Sequence, residues 1–276
     1  KANMRGHALV FKPKLRSAAS SRRQYGSELY RAVDNGELLL HYQPQVHIRD
    51  GSVVGAEALI RWQHPRLGLL TPGEFLSVLE GGPLAVTVGD WILDVACSQA
   101  TRWRNAGMGD LRMGVNLFEA QFRAGDLPEK VMGVLARHRL PPQALELEIT
   151  ENIALDNEEA VLPSLRKLRD IGVGVAFDDF GTGYASLSLL KHYPLTRIKI
   201  DRSFVQQIAE SRQDEALVRA IVDIARNFDL EVIAEGVETE AQRDILLQYD
   251  CMEAQGYLFG RPESADSFTL QHVVPN

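Results

Sequence analysis

Asp178 and Asp179 are adjacent carboxylates that end an apolar run and lead into a glycine-containing segment. Two like charges about 4 Å apart repel each other by roughly 4 kcal/mol at an effective dielectric constant near 20, so such a pair requires a cation or water. Gly181 and Gly183 allow backbone conformations that other residues avoid, which could bring the two side chains together. The pair therefore indicates a metal site. A polar turn that precedes a helix is an equally good interpretation of these residues taken alone.

Charged or amide residues stand at the ends of other apolar runs in the chain. In (β/α)8 barrels the active site lies at the carboxyl ends of the strands and takes residues from several of them. One such residue alone is best explained as a solvent-exposed polar group, but a repeated position on successive strands predicts a shared site. The residues at these ends are Glu57, Asn116, Glu148, Lys199, Glu235 and Gln255.

The charges of these residues predict cations. With the aspartate pair included, five carboxylates and one lysine leave four negative charges, which two divalent cations would balance. Oxygen ligands favour Mg²⁺ or Mn²⁺, and the sequence has no His-x-His pair or cysteine cluster typical of zinc sites. Two metals suit in-line attack on phosphorus, which predicts phosphoester hydrolysis. Barrel enzymes that enolise carboxylates use similar ligands with a lysine base, and the residues alone do not exclude them.

Eight short apolar runs, separated by amphipathic segments, must position these side chains. Strands that alternate with helices predict a (β/α)8 TIM-like barrel. Only about half a dozen residues around Asp50 separate the first two runs, too few for a parallel crossover, so the first strand is predicted to be antiparallel to the rest. The runs begin at Leu38, Val53, Met113, Leu145, Val173, Arg197, Glu231 and Met252, and the helical patterns are Trp91–Trp103, Pro128–Arg137, Glu158–Asp170, Asp214–Asn227 and Glu240–Leu247.

Composition excludes several classes of function. The chain has 276 residues, a net charge of -7 and a pI of about 5.6, which argues against binding to a nucleic-acid polymer or an anionic membrane. The two cysteines, Cys97 and Cys251, fit a reducing cytoplasm as buried apolar residues, and no long apolar run predicts direct membrane contact. Residues 1–25 are basic and lack periodicity, which predicts a linker from an upstream domain, with one domain over 26–276.

Several separated motifs resemble, in order and spacing, the EAL-domain family of bacterial cyclic di-GMP phosphodiesterases. The resemblance covers about residues 28–274. The motifs are Glu57–Trp62, Val115–Leu117, Glu148–Glu151, Asp178–Tyr184, Ile198–Asp201, Ala234–Glu238 and Gln255–Tyr257.

The resemblance implies that the chain hydrolyses cyclic di-GMP to linear pGpG with two divalent cations, Mg²⁺ or Mn²⁺. By this analogy one cation is held by Glu57, Asn116, Glu148 and Asp178, and a second by Asp178, Asp179 and Glu235. Lys199 and Glu235 are the implied catalytic residues. The implied substrate contacts are Gln43, Leu59, Arg61, Gln255 and Glu238, and the implied regulatory loop contains Phe180, Gly181, Thr182 and Gly183, braced by Glu151.

The resemblance also implies a homodimer formed near that loop and an upstream GGDEF-like (diguanylate cyclase) or sensor domain. Some family members bind cyclic di-GMP without cleaving it, so a catalytically silent receptor is the alternative function. Such receptors have lost a metal ligand or the lysine, whereas this sequence retains Lys199 and every implied ligand.

Overall fold

A computed structural model describes residues 25–182 and 187–273 of the chain. Most of the predicted linker, as well as Gly183 and Tyr184, lies outside the described residues. The described residues form two compact units. Of the described residues, the smaller unit comprises 25–39 and 61–85, and the larger comprises 40–60, 86–182 and 187–273.

The smaller unit is organised around Trp62, whose side chain is fully buried. Its elements are helix α1 (residues 25–34), strand β3 (Gly68–Leu70) and helix α2 (Pro72–Glu80). Strand β3 pairs antiparallel with the end of strand β2, placing Trp62 opposite Leu70. The rings of Tyr25 and Phe75 lie edge-on to the indole, and Trp62 Nε1 donates to Glu37 Oε2 at 3.0 Å. Aromatic packing around Trp62, together with the hydrogen bond from its indole, therefore helps to hold this unit together.

Eight strands of the described residues close into a barrel, which confirms the predicted fold class. The sheet order is β1, β9, β8, β7, β6, β5, β4, β2, and pairing of β1 with β2 closes it. Strand β1 pairs antiparallel with β9, whereas successive strands from β4 to β9 pair in parallel. The strands are β1 (Leu38–His47), β2 (Val53–His64), β4 (Arg112–Asn116), β5 (Leu145–Thr150), β6 (Gly174–Phe180), β7 (Arg197–Ile200), β8 (Glu231–Glu235) and β9 (Glu253–Gln255).

Helices lie between the parallel strands and after the last of them. They are α3 (Ala85–Asn105), α4 (Glu119–Ala124), α5 (Leu127–His138), α6 (Glu151–Asp156), α7 (Glu158–Asp170), α8 (Leu187–His192), α9 (Arg202–Gln207), α10 (Arg212–Asn227), α11 (Glu240–Gln248) and α12 (Ala265–Phe268), with a 3-10 turn at Pro142–Ala144 and a π-helical turn at Thr269–Val273. The start of α11 is fixed by a capping box in which Thr239 Oγ1 accepts from Gln242 N and Gln242 Oε1 accepts from Thr239 N. Within the described ranges, no helix has the length and apolarity that a membrane crossing requires.

Alternate residues of each strand face opposite sides of the barrel wall. On β5, Leu147 is fully buried, while its neighbours Glu146 and Glu148 are polar. The apolar side chains form the core: Val115, Leu147, Phe177 and Ile198 are all fully buried. Cys97 and Cys251 are buried free thiols, as predicted.

At the amino ends of the barrel strands, the polar side chains form a buried ion cluster. Arg197 is fully buried, and its Nε donates to Glu146 Oε2 at 2.9 Å. Its guanidinium also pairs with Glu231 and Glu253. Arg112 Nη2 reaches Glu253 Oε2 at 2.6 Å. The sequence analysis missed this cluster, although its residues precede the predicted site residues by two or four positions along the same strands.

One detail of the strand prediction is wrong. Glu57 was expected at the end of the second strand, but β2 continues to His64. The cause is β3, which pairs with residues 62–64 of β2 and gives that stretch a hydrogen-bonding partner. Glu57 therefore lies midway along a long strand, level with Gly114 on β4.

Candidate metal centre

Lys199 lies at the centre of the acidic residues predicted from the strand ends. Its side chain is fully buried. The ammonium pairs with Glu148 Oε2, and it lies 2.8 Å from Glu235 Oε1, 3.0 Å from Asp178 Oδ1 and 3.5 Å from Glu57 Oε2. The structure thus brings four predicted site carboxylates around one lysine.

Two amides hold Glu57 from either side. Asn116 Nδ2 donates to Glu57 Oε1 at 2.7 Å, and Gln255 Nε2 donates to Glu57 Oε2 at 2.6 Å. Gln255 Nε2 also lies 3.0 Å from Gln43 Oε1, and Gln43 Nε2 donates to the carbonyl of Gly260 at 3.1 Å. These bonds fix the orientation of Glu57 through strands β1, β4 and β9.

The backbone of Asp179 itself makes the turn that was attributed to the following glycines. Asp179 has a φ of 53°, in the left-handed region that few non-glycine residues adopt. The pairing of β6 with β7 is irregular between Phe177 and Phe180. As a result, carboxylate oxygens of Asp178, Asp179 and Glu235 lie within 4.8 Å of one another. Such strain at a site residue is typical of functional positions.

The cluster carries more negative charge than Lys199 can compensate. Burial, followed by the negative charge of Glu57, holds the pKa of Glu148 well above its usual range. Burial and the charge of Asp178 outweigh the attraction of Lys199 and raise the pKa of Glu235 to about 8. Burial, Asp178 and a hydrogen bond with Asp201 raise the pKa of Asp179 to about 7.

Lys199 and Glu57 keep their charges. Burial acts to lower the pKa of the Lys199 ammonium, but Asp178, Glu148 and Glu235 outweigh it, so this pKa lies well above its usual range. Burial acts to raise the pKa of Glu57, yet Lys199 and the hydrogen bonds from the two amides bring it below the usual value. When all five carboxylates are ionised, Lys199 alone does not neutralise them, and the cluster needs further positive charge.

These residues fit divalent cations. Carboxylate oxygens of Asp178, Asp179 and Glu235 converge within 4.8 Å, and oxygen-only donors suit Mg²⁺ and Mn²⁺. The pKa values of Glu148, Asp179 and Glu235 are raised by burial and by neighbouring carboxylates, a repulsion that a bound cation would relieve.

The segment after Asp179 is anchored by Glu151, as the resemblance implied. Gly181 N donates to Glu151 Oε1 at 2.9 Å, and Gly181 has a φ of 96°. Thr182 Oγ1 donates to the carbonyl of Asp179 at 2.9 Å, and the ring of Phe180 is buried. The role of this loop in dimer formation stays a prediction.

A cleft of about 250 Å³ opens above the acidic cluster. It brings together four predicted substrate contacts: Gln43, Leu59, Glu238 and Gln255. Arg61 is buried in the smaller unit, and its substrate contact stays a prediction. Five residues that line the cleft were not predicted as site residues, and all but Gln206 belong to or directly follow a quoted motif: Arg202, Gln206, Gly236, Gly256 and Tyr257.

A parallel barrel with acidic side chains at the carboxyl ends of its strands is an architecture that supports enzymes of many chemistries. The family model of the EAL domain matches residues 27–262, so this chain belongs to the EAL domain family. The resemblance noted from the motifs is confirmed.

Relatives are found in Pseudomonas aeruginosa. The bifunctional diguanylate cyclase/cyclic di-GMP phosphodiesterase MucR is 43% identical over 256 residues, which is 93% of this chain and 37% of MucR. The cyclic di-GMP phosphodiesterase NbdA is 39% identical over 262 residues, which is 95% of this chain and 34% of NbdA. The chain thus spans about a third of the length of these curated relatives.

The fold also matches solved structures. The PaMucR phosphodiesterase, in complex with c-di-GMP, is similar with a TM-score of 0.85 and 44% sequence identity, covering 89% of this chain and 99% of that chain. The EAL enzyme Bd1971, bound to cAMP and cyclic di-GMP, has a TM-score of 0.87 and 31% identity, covering 91% of this chain and 69% of that chain.

Proposed function

We propose that this chain is a divalent-cation-dependent phosphodiesterase that hydrolyses cyclic di-GMP to linear pGpG. The observation that carries the proposal is the group of carboxylates around Lys199 at the carboxyl ends of the barrel strands. Membership of the EAL domain family supports it, as do the names of two relatives and the ligand of one similar structure.

The charge of the substrate explains why cations are needed. Cyclic di-GMP carries two phosphodiester anions, which the unprotonated carboxylate cluster would repel. We assign Glu57, Asn116, Glu148 and Asp178 to one cation, and Asp178, Asp179 and Glu235 to a second. Bound there, Mg²⁺ or Mn²⁺ lowers the pKa of water and offsets charge on the phosphodiester.

The protein's own groups then have distinct tasks. The Lys199 ammonium stays protonated and stabilises the negative charge that grows on the phosphoryl oxygens during attack. Glu235 accepts a proton from the attacking water at a carboxylate oxygen. The new P–O bond forms as the bond to the 3′ oxygen breaks; that oxygen takes a proton from solvent, and Glu235 releases the proton it accepted to solvent. Gln43, Leu59, Glu238 and Gln255 line the cleft that receives the nucleotide.

Product analysis tests this function. Purified protein is incubated with cyclic di-GMP and Mg²⁺ or Mn²⁺, with a chelator in the control, and the nucleotides are separated by chromatography. We expect linear pGpG to accumulate only with added cation. Calorimetric binding of cyclic di-GMP without any linear product under either metal would instead support the silent receptor.

A further inference from the structure

A layer of small residues lies inside the barrel between the metal centre and the ion cluster at the opposite end. Gly55 on β2 and Gly114 on β4 are two positions before Glu57 and Asn116, so they face the same side of the wall. Gly174 on β6 faces the same interior but lies lower, level with Glu146 of the ion cluster on β5. Barrel interiors are normally filled by valine, isoleucine and leucine. Glycine at these positions leaves space for polar groups.

Gln45 on β1 extends into this layer. Its side chain is fully buried, and neither of its amide atoms has a hydrogen-bond partner among the described residues. It stands opposite Gln255 in the antiparallel pairing of β1 with β9, so the two side chains share a face. Gln255 Oε1 and Glu148 Oε1 are also buried and lack a hydrogen-bond partner within residues 25–182 and 187–273.

Two of these unpaired atoms, Glu148 Oε1 and Gln45 Nε2, lie beside Gly114. A Cβ added at Gly114 would overlap Glu148 Oε1 and would lie 3.6 Å from Gln45 Nε2. A Cβ added at Gly55 would lie 2.6 Å from Gln45 Oε1. Leaving a buried polar group unpaired costs about 1–3 kcal/mol, so several such atoms in one place require a common partner. A water molecule that makes two hydrogen bonds of about 2.8 Å each can bridge two such atoms, because both lie close to the same point beside Gly114.

We propose that an ordered water molecule binds between Gln45, Glu148 and Gln255, and that Gln45 is a positioning residue that acts through it. The water accepts a hydrogen bond from Gln45 Nε2 and donates to Glu148 Oε1 and Gln255 Oε1. This fixes the Glu148 carboxylate with Oε2 directed to Lys199. The catalytic meaning of this positioning rests on the proposed function, because Glu148 is there assigned to a cation.

The substitution Gln45→Met tests the positioning role, because methionine has similar length and no hydrogen-bonding amide. We expect Mn²⁺ affinity, measured by calorimetry without nucleotide, to fall about 10- to 100-fold, the range for partners that orient metal ligands. The melting temperature of the metal-free variant should also fall, because Glu148 Oε1 and Gln255 Oε1 lose the water that bridges them, so Mn²⁺ affinity is the deciding measurement. A merely structural role would lower the melting temperature and leave Mn²⁺ affinity unchanged.

Two glycine substitutions form a matched pair. In Gly114→Ala the added methyl displaces Glu148 Oε1, so we expect a similar loss of Mn²⁺ affinity. In Gly174→Ala the methyl meets atoms of Glu146 at 3.4 Å, an ordinary contact, so Mn²⁺ affinity should stay within twofold of wild type. Equal effects of the two substitutions would contradict the positioning role.

A high-resolution crystal structure of the metal-free wild-type protein tests the water directly. We expect an ordered water within hydrogen-bond distance of Gln45 Nε2 and Glu148 Oε1, and its loss in Gln45→Met. Absence of that water in wild type, or unchanged Mn²⁺ affinity in Gln45→Met, overturns the inference. If wild type binds no Mn²⁺, the proposed function fails, and the crystal structures still decide whether the water is bound.

Discussion

Replacing Lys199 with methionine removes the ammonium from the carboxylate cluster and keeps the length of the side chain. Glu235 Oε1 at 2.8 Å and Asp178 Oδ1 at 3.0 Å each attract this ammonium by about 6 kcal/mol at an effective dielectric constant near 20. Part of that attraction offsets the desolvation of the lysine. Removing one partner of a buried ion pair therefore costs about 3–5 kcal/mol, which lowers the melting temperature of a domain of this size by about 10 °C.

The loss depends on pH. In the folded variant the carboxylates have pKa values above those of the unfolded chain, and Glu235 and Asp179 already lie at about 8 and about 7 in wild type. A folded-state pKa above the unfolded value contributes stability at low pH that disappears as pH rises through the folded pKa. Urea unfolding in the presence of chelator should therefore show a small deficit for Lys199→Met at about pH 5 and the full deficit at about pH 8.5.

The same substitution at Lys191, an exposed residue of α8, serves as the control and should leave the free energy of unfolding within about 0.5 kcal/mol of wild type. Adding Mn²⁺ should restore stability to Lys199→Met, because cations supply the missing positive charge, while hydrolysis of cyclic di-GMP stays lost. A variant as stable as wild type at about pH 8.5, or one whose deficit grows as pH falls, would refute this account of the cluster.

Other substitutions give separate tests. Glu57→Ala should reduce hydrolysis more than 100-fold, which exceeds the loss usual for residues that only orient metal ligands. Circular dichroism should still show a folded barrel, because the substitution removes one anion from a crowded acidic cluster. Glu151→Ala removes the acceptor of Gly181 N, so amide hydrogen exchange of Gly181 should accelerate about tenfold, and unchanged exchange would refute the anchor. Burial acts to raise the pKa of Glu253, but Arg197 and Arg112 bring it below the usual value. The stability that Glu253 gains from these two arginines should thus be lost as pH falls through its lowered pKa, and Glu253→Gln should weaken that dependence in urea unfolding.

The main elements of the barrel are visible in the sequence because they are local patterns. Helix α7 spans Glu158–Asp170, as its amphipathic pattern predicts, and the capping box at Thr239 marks the start of α11. Strand β3 was missed because its three residues carry no periodicity and exist only through pairing with β2. Short helices such as α4 and α9, each of 6 residues, are also too brief to show a period.

The sequence was enough to predict which residues form the site, but not how they are arranged in space. The recurrence of polar residues at strand ends indicates which side chains meet. It does not indicate that Lys199 contacts four of them, because that depends on the shared interior of a closed barrel. Nor does it reveal the left-handed backbone of Asp179, since glycine is the usual residue there. Gln45 had a signal, because it alternates with Gln43 along β1 on the polar face.

The interior glycines Gly55, Gly114 and Gly174 affect which amino-acid substitutions the barrel tolerates. An interior filled with polar groups contributes little apolar burial. The barrel is therefore stabilised by apolar packing on the outward face of its strands, where residues such as Leu147 and Phe177 form the fully buried core. The inward side chains therefore serve the site, and the outward side chains serve the stability of the fold, so the two sets can change independently. Descendants of this sequence can lose or retune the chemistry at the strand ends while the outer core keeps the same barrel intact.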